Sequence, residues 1–270
     1  MFDIWVAIII GIVEGLTEFL PVSSTGHMIL VGHLLGFTGP KAETFEIIIQ
    51  LGAILAVVLL YWRRILRLFG VKAAKGMEDM KSQLNLLHIL IAITPAMALA
   101  FVFKDFIKIL FLPETVVIGL VTGGIFLIVA EKQHPKISAK TIDELTYRQV
   151  FYIGMAQILS LWPGFSRSGA TIAGGMLAGA SRAASADFTF LIAIPVMVAA
   201  TGYEMLQNYQ RFSVEDLGFL AVGFIVSFVV ALLAVVTFIK LVQKFKLTYF
   251  AYYRFVLAAA VILYMLLVGM

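Results

Sequence analysis

Long apolar runs alternate along this chain with two shorter, glycine-punctuated segments, and the two kinds of stretch predict different elements. Six runs, roughly 45–62, 86–103, 115–131, 186–205, 217–239 and 249–269, predict membrane-crossing helices, because a hydrocarbon core ~30 Å thick takes ~20 helical residues. The punctuated segments do not fit that scheme. A helix starting near Ile4 is stopped by Pro21, which removes a donor and clashes with the preceding turn. The helix expected after it, about Ser24 to Leu35, would be only ~18 Å long. Pro163-Gly164 repeats the pattern between arms at about 148–161 and 168–180. Each segment therefore predicts a re-entrant hairpin, its tip buried in protein or lining a wet cavity.

The two hairpin segments are degenerate copies. At a constant offset of 143, Gly11 falls on Gly154, Leu16 on Leu159, Ser23 on Ser166, Gly26 on Gly169, Gly32 on Gly175 and Gly36 on Gly179. Three spans follow each copy. An odd number of crossings between the hairpins makes them enter from opposite faces, as in the inverted repeats of secondary transporters. The expected organisation is one membrane domain, 1–270, with a first repeat at 1–135 and a second at 145–270.

Loop charge predicts orientation. The 63–85 connection carries Arg63, Arg64, Arg67, Lys72, Lys75 and Lys81, and the 132–148 connection Lys132, Lys136, Lys140 and Arg148. Lys240, Lys244 and Lys246 lie in a third, whereas the 104–114 loop has Lys104 and Lys108 and the 206–216 loop only Arg211. Lysine and arginine excess marks the cytoplasmic side, which puts both termini outside. Composition agrees with the membrane reading: hydrophobic residues make up 61% of the chain and charged residues 13%, with a mean hydropathy of +1.01. The early apolar stretch lacks a basic leader and a small-residue cleavage site, so it does not read as a signal peptide. Absence of cysteine excludes thiolate chemistry and disulfides, and no basic patch interleaved with aromatics suggests nucleic acid.

The copies diverge where chemistry would sit. Glu14 and Glu18 share one face of an otherwise apolar helix, and a carboxylate at membrane depth costs ~3 kcal/mol on insertion scales. Such a pair shares a proton, meets a cation or faces water. Its functional readings are general acid–base work or a divalent cation held by hard oxygens; the structural reading is pairing with an arginine. Ser23, Ser24, Thr25 and Gly26 open the next helix, where hydroxyls, free N–H groups and the dipole end suit an anion. His27 lies within that first turn. Glu46 and Gln50 are polar in an apolar run and fit interhelical hydrogen bonding as well as a place in the site. In the second copy Arg167 stands between Ser166 and Ser168, followed by Gly169 and Thr171; its guanidinium fork matches phosphate oxygens or neutralises Glu14 or Glu18. Arg182 and Asp187 read as an interfacial pair, and His33, His88 and His134 have no partner at metal-ligand spacing. Two inverted hairpins meeting near the midplane would gather these groups into one pocket for a diphosphate.

Glu-Gly-Leu-Thr-Glu-Phe-Leu-Pro-Val-Ser-Ser-Thr-Gly-His at 14–27 and Pro-Gly-Phe-Ser-Arg-Ser-Gly-Ala-Thr at 163–171 closely resemble the two signature motifs of the bacterial undecaprenyl-diphosphate phosphatases, also called bacitracin-resistance proteins. Length, span count and the duplicated hairpins extend the resemblance over the whole chain. The resemblance implies an all-α polytopic enzyme of the bacterial cytoplasmic membrane. Such an enzyme removes the terminal phosphate of undecaprenyl diphosphate and recycles the carrier for peptidoglycan synthesis. It further implies a pocket open to the outer face, dependence on a divalent cation such as Mg2+ or Ca2+, and a site made of Glu14, Glu18, Ser24, His27, Arg167, Ser166, Ser168 and Thr171. Ser24 with Glu18 as base, or His27, is then the nucleophile; Arg167 holds the phosphoryl group and Glu14 a cation or water. Carriage of the lipid phosphate across the bilayer is the alternative function, and a homodimer is compatible with either.

Overall fold

The computed structural model describes residues 3–70, 83–133, 135–208, 210, 213–242 and 244–268. Eleven α-helices account for most of them: α1 Ile4–Thr17, α2 Ser24–Leu34, α3 Pro40–Leu68, α4 Leu86–Val102, α5 Lys104–Ile109, α6 Pro113–Lys132, α7 Tyr147–Gln157, α8 Arg167–Leu177, α9 Arg182–Asn208, α10 Leu217–Val242 and α11 Leu247–Val268. Their starts follow from local chemistry. Pro40 and Pro113 occupy first-turn positions in α3 and α6, where the missing N–H costs nothing. Asn85 caps α4, and Thr146 with Gln149 forms a reciprocal capping box on α7.

Among the described residues five helical stretches are long and apolar enough to cross a membrane: α3, α6, α9, 214–242 and α11. The sixth expected span, α4, has 17 residues and is ~25 Å long. It stops at Val102 because Phe103 leaves helical geometry (φ −104°, ψ 18°) before α5 begins. Both expected hairpins form. α1 ends at Thr17, four residues short of Pro21, and α2 follows after a tight reversal; α7 runs on through a 3-10 turn at Ile158–Leu161 before Pro163, and α8 follows. Lys72, Lys75, Lys81 and Arg211, on which the loop-charge reading partly rests, lie outside the described residues, as does His134.

The offset of 143 reappears in the backbone. Ser23 (φ 71°) and Ser166 (φ 72°) are the non-glycine residues with positive φ among those described. Gly36 and Gly179 end α2 and α8 with positive φ, and Phe37 N–H donates to Gly32 O just as Ala180 N–H donates to Gly175 O.

Helix pairing crosses between the halves. α1 packs on α10 and α7 on α4, while α3 packs on α9 and α6 on α11. Backbone contact makes the hairpin dockings close: a Cβ on Gly15 would lie 2.7 Å from Ser227 O of α10, and one on Gly154 would lie 2.5 Å from Ala92 O of α4. The main core joins both halves, with Phe19, Ile172, Met176, Phe190, Val235 and Phe238 buried together and the rings of Phe19 and Phe190 edge to face at 5.5 Å. The expected Arg182–Asp187 pair does not form. Arg182 instead pairs with Glu131 of α6, and Asp187 accepts from the Tyr61 hydroxyl at 2.6 Å. Helix geometry explains this: residues five apart point away from each other, so each turns to a neighbouring helix.

Gly154→Ala should destabilise the protein by about 1–3 kcal/mol, read as a lowered melting temperature in detergent. Gly202→Ala, where a Cβ meets nothing within 4 Å, should not.

Candidate active site

The tips of the two hairpins meet through polar contacts. Ser168 Oγ of α8 donates to Leu20 O in the first reversal at 2.8 Å. Arg167 Nη2 donates to Glu18 Oε1 at 3.0 Å, in an ion pair whose side chains are 13% and 9% exposed. The other oxygen of Glu18 accepts from Ser24 Oγ at 2.6 Å. One carboxylate thus orders a hydroxyl on its own hairpin and a guanidinium on the opposite one. Hydroxyl, acceptor and orienting group stand in the relation that activates a nucleophile.

Strained serines hold the tips in place. Positive φ is unfavourable for a residue with a Cβ and persists only where the surroundings enforce it. Ser23 Oγ accepts from Gly26 N–H at 3.3 Å, and Ser166 Oγ from Gly169 N–H at 3.2 Å. These bonds cap α2 and α8 and start each helix at the residue that matters, Ser24 and Arg167. Thr171, fully buried, donates to Arg167 O at 2.9 Å and accepts from Thr189 Oγ1 at 2.8 Å. The hydroxyls of Ser23, Ser166, Ser168 and Thr171 are therefore engaged in shaping the tips. Gly26 packs against Leu120 and Leu257.

At the tips, one acidic and one basic group keep free polar atoms. Both carboxylate oxygens of Glu14 and Arg167 Nη1 are buried and make no hydrogen bond among the described residues. An unsatisfied buried polar group costs about 1–3 kcal/mol, more when charged, so these are the positions a ligand would complete. Glu14, Ser24 and Thr25 line a cavity of about 720 Å³. It extends past Glu46 and Gln50 to Lys108 and Pro113 on one side and Tyr203 and Glu204 on the other. Glu46 and Gln50 thus line the same cavity as Glu14 and Ser24. As for a divalent cation, Glu14 has two free hard oxygens and suits one, whereas both oxygens of Glu18 already accept from Arg167 and Ser24. No group of three or more histidine, aspartate or glutamate side chains converges at metal-binding distance among the described residues.

His27 sits apart from these contacts. Its Nδ1 lies 2.7 Å from Ser23 O and its Nε2 2.7 Å from Tyr253 Oη. The carbonyl can only accept, so Nδ1 carries the proton and Nε2 accepts from the tyrosine. Both ring nitrogens are occupied, and the ring braces the strained Ser23.

Tyr253 and its neighbour Arg254, both on α11, were not legible as site elements. Arg254 is fully buried, and its Nη2 donates to Gly119 O, Gly164 O and Phe165 O at 3.0, 2.7 and 2.8 Å. An arginine inside the last apolar run was the available signal, since ionisable residues within spans face protein and function.

Apolar spans enclosing a buried cluster of hydroxyl, carboxylate and guanidinium groups define a multi-pass integral-membrane protein with a polar interior. The family described as bacitracin resistance protein BacA matches residues 7–260 of the 270. The chain belongs to that family, a membrane family of undecaprenyl-diphosphatases.

Tyr253→Phe should leave His27 Nε2 without its partner and lower stability by about 1–2 kcal/mol, checked by thermal melting of the purified protein.

Proposed function

We propose that the protein hydrolyses undecaprenyl diphosphate to undecaprenyl phosphate and inorganic phosphate, with Ser24 as the nucleophile. The observation that carries this reading is the 2.6 Å bond from Ser24 Oγ to Glu18 Oε2. Ser24 Oγ attacks the terminal phosphorus and passes its proton to Glu18. The bond from phosphorus to the bridging oxygen breaks, and undecaprenyl phosphate leaves with the electron pair. Water then attacks the phosphoserine, the bond from phosphorus to Oγ breaks, Glu18 returns its proton to Ser24 and takes one from the water for release, and phosphate departs. Arg167, with Nη1 free, stabilises the charge spread over the transferred phosphoryl oxygens, and the N-terminus of α2 lies at the attacking atom. Glu14 would hold a divalent cation, Mg2+ or Ca2+, which when bound offsets charge on phosphate oxygens. The double engagement of His27 favours serine over histidine as nucleophile.

The cavity reaches the 104–113 segment and the end of α9, next to the loops poorest in basic residues. That supports a site open to the outer face, where the lipid diphosphate would be recycled for envelope synthesis and where bacitracin tolerance arises. Carriage of the lipid phosphate across the bilayer is a second reading, supported by the exchange of hairpins between halves. It predicts no phosphate release in detergent, where there are no compartments.

Phosphate release from undecaprenyl diphosphate by purified protein tests the proposal. Ser24→Ala and Glu18→Gln should each lower kcat by roughly 10³-fold or more, and Arg167→Ala by ~10²–10³-fold. Near-normal turnover by Ser24→Ala would overturn the serine mechanism, and trapping of phosphohistidine at His27 would replace it.

A further inference from the structure

Arg254 is the largest fully buried side chain among the described residues, and its charge has no counter-ion among them. Among the described residues no carboxylate lies within ion-pair distance of it. Its Nη2 is saturated by three backbone carbonyls, while Nε and Nη1 are buried with no hydrogen-bond partner. Taking a permanent charge out of water costs several kcal/mol, and a well-packed methionine or leucine would fill the space without that cost.

The position of the guanidinium is informative. Two of its carbonyl partners, Gly164 O and Phe165 O, belong to the reversal just before the strained Ser166. A Cβ on Gly169, in the first turn of α8, would come within 3.2 Å of Nη1. The charge therefore lies beneath the N-terminus of α8, whose first residue is Arg167. The neighbourhood needs it. Glu14, Glu43, Glu46 and Glu204 line the cavity against a single lysine or arginine among its lining residues, Lys108, and Glu18 at the tips is paired with Arg167. A diphosphate brought there meets more acidic than basic side chains.

We infer that Arg254 is a positioning residue for anion binding: it clamps the second hairpin tip through its carbonyls and adds, from behind α8, a further positive charge at the tip that receives a diphosphate. It touches no substrate atom in this role. The inference rests on the phosphatase reading and adds to it a determinant of affinity outside both signature motifs.

Arg254→Lys keeps the charge and three donors, whereas Arg254→Gln keeps donors and removes the charge. With folded protein in detergent, Arg254→Gln should raise KM for undecaprenyl diphosphate about tenfold or more while kcat changes less, and Arg254→Lys should stay within about threefold of wild type. A purely structural clamp would lower the folded fraction in both variants and leave KM alone. Wild-type KM in folded Arg254→Gln overturns the inference. If that variant does not fold, Arg254→Met, which fills the space without the charge, takes its place: a KM raised about tenfold supports the role of charge, and a wild-type KM overturns it. Absence of phosphate release by the wild type would instead refute the phosphatase reading. The comparison would then be made by calorimetry with inorganic diphosphate, equal affinity of wild type and Arg254→Gln counting against Arg254.

Discussion

The contact between Glu18 and Arg167 is the one on which the arrangement depends. It joins hairpins that are far apart in sequence, at a point where both side chains are almost out of reach of solvent. Breaking a buried ion pair from one side leaves an uncompensated charge, which costs more than the intact pair contributes. Each hairpin therefore holds the other's tip in register, and the hydroxyl of Ser24 takes its direction from the same carboxylate. Scaffold and chemistry share one group.

Around that contact the protein accepts local strain in a repeated way. Ser23 and Ser166 adopt the same unfavourable backbone angle, each using its hydroxyl to cap the helix it begins. The supports differ. On the first tip His27 and Tyr253 hold the carbonyl of Ser23, and on the second Arg254 holds the carbonyls of Gly164 and Phe165. Adjacent residues of α11 thus reach both tips, one with a neutral donor and one with a cation. The asymmetry follows the residues the tips carry, acids on the first and an arginine on the second.

Much of this was legible in the sequence because membrane folding leaves few choices. Prolines at 21 and 163 inside apolar stretches too short to span point to reversals, and glutamates at 14 and 18 point to a shared proton, a cation or water beside them. The shared face of Glu14 and Glu18 did not reveal that only Glu18 would be paired and Glu14 left open, because that depends on how the hairpins dock. Nor did the spacing of Arg182 and Asp187 reveal their true partners, Glu131 and Tyr61, which come from distant helices. Tyr253 and Arg254 sit in an apolar run far from either motif; the charge of Arg254 marks it, but the contacts of both are tertiary, and no local periodicity announces them.

The exchange of hairpins between halves has a consequence for biosynthesis. α1 docks on α10, and Gly15 meets Ser227 and Ala231 there, so its final neighbour is among the last elements to leave the ribosome. The second hairpin, by contrast, finds α4 already in the bilayer when it emerges. The first hairpin, with two glutamates in a largely apolar segment, must wait undocked through the insertion of nearly the whole chain. Chain order therefore allows the second hairpin to dock on α4 before the first can dock on α10.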